Sequence, residues 1–260
     1  MNLYYLAATA ATDTDAPENK FGFMEAMREG GPVAWAILAV MIIMSVGSFY
    51  ILFTKLFEQN KVMRQYKAVQ SSYWRANSLK EGAAKLEKNS AWRQLADDAV
   101  TAQDHHAKME GAANEIHFVE EELAHSQETI NASLSGGLSF LASVGATAPF
   151  IGLLGTVIGI YRALINIGIA GSASIDKVAG PVGEALIMTA IGLLVAVPAV
   201  LAFNWLQSRN RRIAALMVDF SNNIVAYIGS NGAVKPALTA APAAKKPAAK
   251  PAPAKPAGAK

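Results

Sequence analysis

The 260-residue sequence lacks cysteine and contains few charged residues. Without cysteine there is no disulfide framework, no cysteine-ligated zinc site and no thiol nucleophile. Charged residues make up 17% of the chain, compared with about 25% in ordinary soluble domains. Hydrophobic residues make up 52%, and the mean hydropathy is +0.25. This composition indicates a protein that places much of its length in apolar surroundings.

The sequence also lacks the motifs of an enzyme or a metal protein. It has no phosphate-cradling glycine loop, no Ser-His-Asp arrangement and no nucleotide-binding fingerprint. The few histidines show no spacing typical of metal ligands; they are His105, His106, His117 and His125. We therefore predict no catalytic residue, no metal site and no cofactor.

The net charge of +3 is a property of the C-terminal tail. The stretch from Lys235 to Lys260 holds six lysines and no acid, and the rest of the chain carries −3. No aromatic residues alternate with these lysines, so nucleic-acid binding is disfavoured. The repeating Ala, Pro and Lys predict a disordered, polyproline-like segment. It is either a solubilising extension or a contact to anionic lipid.

Three long stretches have the composition of membrane-spanning helices. Residues 30–54 and 129–161 contain no charge, and residues 178–208 contain one, Glu184. A bilayer core requires about 20 apolar residues in a helix, whose backbone groups then pair internally. The alternative, a soluble protein with three buried helices, would leave too little polar surface. The predicted fold class is therefore an all-α integral membrane protein with three transmembrane helices and long cytoplasmic helical extensions.

The loop charges predict the orientation. Lysines and arginines follow the first and third spans directly, whereas acids dominate before the first span. The positive-inside rule places the N-terminus outside and the C-terminus in the cytoplasm. From Glu115 the cytoplasmic region is predicted to run as one helix into the second span. The predicted segments are external 1–29, first span 30–54, cytoplasmic helical region 55–128, second span 129–165, external loop 166–177, third span 178–208, cytoplasmic helix 209–234 and disordered tail 235–260.

Glu184 is the strongest candidate for a functional residue. An ionisable side chain inside a span costs about 2.5–3.5 kcal/mol on insertion scales and is usually kept for an ion pathway. The alternative is that Glu184 lies at headgroup level near the end of its span. Thr189 lies on a neighbouring face, and the second span carries Thr147 and Thr156. Each threonine has a structural alternative, a bond to a carbonyl of its own helix.

Small residues in the second and third spans predict close helix packing. Gly155 and Gly159 form a small-xxx-small pair, and the packing positions are Gly152, Gly155, Gly159 and Gly192. A single copy with three spans cannot enclose a pathway. If Glu184 serves ion movement, several copies must surround a pore in a ring-like homo-oligomer.

Two runs carry a family resemblance. GATAPFIGLLGTVIGIY (145–161) and AGPVGEALIMTAIGLLVAVPAVLAFN (179–204) resemble the second and third spans of the MotA/TolQ/ExbB proton-channel family. The close match covers 139–212, and GATAPF is more similar to the ExbB branch than to the TolQ branch. The Ala/Pro/Lys tail departs from the enterobacterial pattern of that branch. By resemblance, Thr147, Glu184 and Thr189 match the family's pore-lining polar positions.

The resemblance implies the setting and the partners. Such a chain forms a homo-pentamer in the inner membrane of Gram-negative bacteria, with single-span ExbD helices in the central pore. The assembly uses the proton motive force to energise TonB, which drives import through outer-membrane receptors. A TolQ-type role in the Tol-Pal system and a non-conducting membrane scaffold remain alternatives. Sodium in place of protons also stays open, because glutamate and threonine oxygens are hard ligands.

Overall fold

The computed structural model describes residues 23–109, 114–171 and 175–236. Within these ranges the secondary structure is helical and contains no strand, which confirms the predicted all-α class. The predicted external segment up to residue 22, part of the external loop and the tail from residue 237 lie outside them. The elements are α1 (Phe23–Ser71), a 3-10 turn (Tyr73–Arg75), α2 (Leu79–Ala84), α3 (Ala91–His106), α4 (Glu115–Ser135), α5 (Leu138–Ala170) and α6 (Ile175–Gly229).

Three helical stretches of the described chain are long and apolar enough to cross a bilayer: Gly30–Arg75, Leu138–Ile169 and Gly180–Gly229. They belong to α1, α5 and α6. Many of their apolar side chains are exposed, for example Ile43 at 69% and Leu194 at 74%. Apolar side chains exposed on this scale suit lipid or neighbouring spanning helices, since water would disfavour them.

The chain divides into two compact units. Of the described residues, one unit contains those within 23–61 and 128–215, and the other contains those within 62–127 and 216–236. All three candidate spans have their apolar parts in the first unit. The second unit has an aromatic core in which the Phe220 ring lies 5.0 Å from that of Tyr73 and 6.0 Å from that of Trp92. The Trp92 indole N–H donates to the Val62 carbonyl at 2.8 Å.

The helix that begins at Glu115 continues past residue 128 into the predicted second span, as expected, but it does not extend through that span. Helix α4 ends at Ser135 and α5 begins at Leu138. Gly137 between them has φ +82°, a left-handed conformation that glycine adopts without strain. A Cβ there would also lie 3.2 Å from the Ile51 side chain. The glycine pair at 136 and 137 thus ends one helix and starts the next.

Side chains of α1 and α6 donate to carbonyls beside this break. The Lys55 ammonium donates to the Ser133 carbonyl at 2.9 Å, and the Asn210 amide donates to the Leu134 carbonyl at 3.1 Å. Gln59, which is fully buried, donates to Asn210 Oδ1 at 2.7 Å and to the Leu206 carbonyl at 3.0 Å. A buried helix end needs such partners, and here they fasten α1, α4 and α6 together.

The opposite end of α1 contains a kink. Gly31 has φ 61° and ψ −156°, outside the helical region, and Pro32 follows it. The Arg162 guanidinium of α5 donates to the Gly30 carbonyl beside the kink. A cation from the second span therefore holds the backbone of α1 where its helix is interrupted.

Candidate ion pathway

Helices α5 and α6 pack in antiparallel register through glycines. A Cβ added at Gly152 would lie 2.7 Å from the Met188 carbonyl oxygen and 3.2 Å from the Gly192 Cα. One added at Gly192 would lie 2.8 Å from the Ala148 carbonyl oxygen. Backbone approaches backbone here, so side chains larger than hydrogen do not fit at the crossing.

The same contact continues on both sides of the crossing. Towards the end of α5, Gly159 faces Ala185 and the Pro181 carbonyl, with its added Cβ at 3.1 Å from each. Towards its start, Gly145 faces Val200. These pairs give the register of the two helices: residues 155–159 of α5 lie beside residues 181–188 of α6.

The structure places Glu184 in α6 beside this glycine contact. It describes the backbone of residue 184 and not the side chain. Since Pro181 and Ala185 on either side both contact Gly159, the Glu184 backbone lies at the level of residues 155–159 of α5. We refer to this position along the two helices as the Glu184 level.

Thr189 lies near the Glu184 level on the same helix. Its Cα is 3.3 Å from a Cβ added at Gly152, so it borders the glycine crossing. The side chain is half-buried, and its hydroxyl makes no hydrogen bond to the described residues. It is five residues from Glu184, which corresponds to about 7.5 Å along a helix axis. The hydroxyl therefore retains its capacity to donate and accept.

Thr147 lies well away from Glu184, on the other side of the Gly152 crossing. Its neighbours Gly145 and Ala148 contact Val200 and Gly192, so Thr147 sits between these two levels of α6. The distance to the Glu184 level is about 12–18 Å along the helix axis. Thr147 is exposed, and its hydroxyl donates to the Ser143 carbonyl at 2.8 Å. The structure places Thr189 between the levels of Glu184 and Thr147, about 7.5 Å along the helix axis from each, and does not bring Thr147 to the Glu184 level.

Thr156, the other threonine of the second span, lies closer to the Glu184 level than Thr147 does. It lies between Gly155 and Gly159, whose contacts with Met188 and Ala185 place it at the Glu184 level. It is 9% exposed, and its hydroxyl donates to the Leu153 carbonyl at 2.7 Å. The sequence signal is its place between Gly155 and Gly159, the small-xxx-small pair of the second span.

The polar groups at the Glu184 level suit the transfer of a small cation or proton. A carboxylate exchanges a proton, and hydroxyl oxygens both donate and accept hydrogen bonds. Among the residues that the structure describes, no group of three or more His, Asp or Glu side chains is placed to hold a metal ion. Two helices of one copy provide a wall for a pathway and do not enclose one.

Comparison with known proteins identifies the family. Residues 89–219 match the model of the MotA/TolQ/ExbB proton channel family. The chain is 37% identical over 245 residues to the biopolymer transport protein ExbB of Xanthomonas campestris pv. campestris, covering 88% of this chain and 97% of that protein. It is also 37% identical over 198 residues to the ExbB protein of Neisseria meningitidis serogroup A, covering 73% and 89%.

TolQ proteins match a shorter part of the chain. The Tol-Pal system protein TolQ of Pseudomonas aeruginosa is 36% identical over 125 residues, which covers 48% of this chain and 51% of that protein. The similarity to ExbB thus extends over most of the sequence, whereas this similarity to TolQ covers about half. Taken with its three apolar spanning helices, the chain is a membrane protein of ExbB type that belongs to the MotA/TolQ/ExbB proton channel family.

Proposed function

We propose that this chain is the inner-membrane ring subunit of a motor that uses the proton motive force to energise transport across the outer membrane. Its partners are further copies of itself, as a pentamer, together with ExbD and TonB. The N-terminus is periplasmic and the C-terminus cytoplasmic. The similarity to ExbB along almost the whole length of the Xanthomonas protein carries this proposal.

The proposed ion site is Glu184, with Thr189 and Thr156 at neighbouring levels and Thr147 further along the wall. The carboxylate supports the assignment because it is the one ionisable residue in the sequence between Val178 and Ser208. Burying it is costly unless protein or water faces it. Several copies around a pore would supply that environment, whereas lipid would not.

The proposed mechanism couples protonation to movement. An acid of ExbD within the pore takes a proton from the periplasm and faces the ring of Glu184 and threonine side chains. The neutral acid then moves along an apolar wall, which a charged acid would do only at high cost. Each charge that crosses 100 mV supplies about 2.3 kcal/mol. The close α5–α6 contact favours movement between the ring and the central helix rather than within one subunit.

Complementation tests the ExbB assignment. A host without its own ExbB and TolQ would receive this chain with its cognate ExbD and TonB. We expect growth on a ferric siderophore as the sole iron source, because import through outer-membrane receptors requires an energised TonB. In parallel, the chain would be expressed with a TolR-type partner and cell division scored. Restored envelope constriction without siderophore growth would favour the TolQ alternative, and restoration of neither would favour the scaffold.

The register of α5 and α6 predicts which threonine of the second span matters more. Thr156→Val removes the hydroxyl at the Glu184 level. We expect siderophore uptake to fall by about tenfold, because one hydrogen bond contributes about 1–1.5 kcal/mol. Thr147→Val, the same change about 12–18 Å away, is expected to cause a smaller loss. Uptake of radiolabelled ferric siderophore at matched membrane levels measures both. A larger loss for Thr147→Val would show that Thr147, and not Thr156, is the α5 hydroxyl that serves the pathway.

A further inference from the structure

Arg209 of α6 is held in a fixed orientation at the end of the spans that also carries Lys55. One of its guanidinium nitrogens donates to Asn60 Oδ1 of α1 at 2.6 Å. The guanidinium carbon lies 5.1 Å from the ring centroid of Trp205, one helical turn earlier on α6. Stacking on an aromatic face and one hydrogen bond orient a planar group that has several other N–H donors.

An aromatic layer adjoins this cation on the side of the apolar spans. Trp205 precedes Arg209 by one turn, and Phe57 precedes Asn60 by about one turn on α1. Both rings are exposed, Trp205 at 46% and Phe57 at 68%. Because Asn60 and Arg209 are hydrogen-bonded, the two rings lie on adjoining helices at about the same depth. Aromatic residues at such positions mark the boundary between hydrocarbon and headgroups.

The charges around Arg209 are mostly positive. Residues 55–61 and 204–215 contain five cations and one carboxylate. That carboxylate, Glu58, lies 2.7 Å from the Lys55 ammonium and is thereby paired. Arg211 and Arg212 are exposed on the same helix. A ligand here meets a positive field, with one oriented guanidinium beside two exposed rings.

We propose that Asn60, Trp205 and Arg209 form a binding site for the phosphate of an anionic phospholipid. The Arg209 guanidinium donates to the phosphate oxygens, and the acyl chains lie along Trp205 and Phe57. Arginine in a fixed orientation suits phosphate because its N–H groups match two oxygens at once. A free phosphate would use the guanidinium alone, whereas a phospholipid also covers the exposed rings. This lipid site does not depend on the ion pathway proposed above.

Lipid binding to the purified full chain tests this site. The protein in detergent would be titrated with phosphatidylglycerol, and binding followed by native mass spectrometry. We expect Arg209→Gln to weaken binding by about fivefold or more, the contribution of one arginine near an anionic lipid surface. The matched control is Arg212→Gln, which removes the same charge three residues away and should weaken binding less. Phosphatidylcholine and inorganic phosphate should bind weakly to the unsubstituted chain.

Two further variants keep the test decisive if Arg209→Gln does not fold. Arg209→Lys keeps the charge and loses the planar donor, and Trp205→Leu keeps an apolar side chain and loses the stacking. Both should weaken phosphatidylglycerol binding. Equal losses for Arg209→Gln and Arg212→Gln would indicate a diffuse positive field and overturn the site. Unchanged binding in both Arg209→Lys and Trp205→Leu, or inorganic phosphate binding as tightly as the lipid, would overturn it as well.

Discussion

Glu184→Gln is expected to abolish proton-driven transport by the assembled complex. Glutamine has nearly the shape of glutamate but cannot lose or accept a proton at that position, so the substitution removes the chemistry and preserves the volume. If the carboxylate passes each proton, growth on a ferric siderophore should fall to the level of cells without the chain. Glu184→Asp keeps the carboxylate on a side chain one methylene shorter, and we expect it to retain partial growth.

The Glu184 comparison depends on equal amounts of folded protein. Membrane levels of each variant, and co-purification of ExbD with it, provide that control. Growth of Glu184→Gln at the wild-type rate would mean that Glu184 is not the ion site. It would instead support the alternative in which this side chain lies at the headgroup boundary.

Gly152→Ala is expected to destabilise the chain strongly. The added methyl would lie 2.7 Å from the Met188 carbonyl oxygen and 3.2 Å from the Gly192 Cα. Both atoms belong to backbone, which cannot turn aside as a flexible side chain can. Forcing the helices apart at a close-packed crossing costs about 2–3 kcal/mol. The melting temperature of the detergent-solubilised protein should therefore fall by about 5 °C or more.

Gly168→Ala is the matched control for this substitution. Gly168 lies in the same helix, and a Cβ added there has no atom within 4 Å. Alanine also favours the helix over glycine by about 1 kcal/mol, so the melting temperature should stay the same or rise. Equal stability of the Gly152→Ala and Gly168→Ala proteins would contradict the α5–α6 crossing described above. Gly152 and Gly192 meet at one point, so their substitutions should not be additive. Gly192→Ala should lower the melting temperature less in the Gly152→Ala protein than in the unsubstituted protein.

The spanning helices were predictable because their cause is composition. Long runs without charge have one simple solution in a bilayer, a helix, and the three runs lie mainly in α1, α5 and α6, with residues 129–135 of the second run in α4. The break at Gly136 and Gly137 was not predicted, although both residues are visible in the sequence. Glycine within an apolar run also serves helix packing. The side chains that contact this break are Ile51, Lys55 and Asn210, which come from distant parts of the chain.

The sequence indicates which residue types form the candidate site, but it does not indicate which of them lie at the same position along the two packed helices. Glu184 stands out because a carboxylate in a span is rare. The choice between Thr147 and Thr156 depends on the register of α5 against α6, which is set by the meeting of Gly152 with Gly192. No spacing within either helix reveals that register. The sequence shows Arg209 only as one of several cations that follow the third span. Its contacts with Asn60 and Trp205 depend on how α1 packs beside α6, so they were not predictable.

Proton flux through the reconstituted complex tests the central claim most directly. The chain and its cognate ExbD would be placed in liposomes containing a pH-sensitive dye, without sodium, and a potassium diffusion potential applied. We expect the dye to report proton uptake with wild-type protein and no uptake above that of empty liposomes with Glu184→Gln. Equal uptake by the two proteins would contradict a proton pathway through Glu184. If neither protein takes up protons, and the wild-type complex conducts sodium when sodium is supplied, the choice of the proton as the transported ion is contradicted.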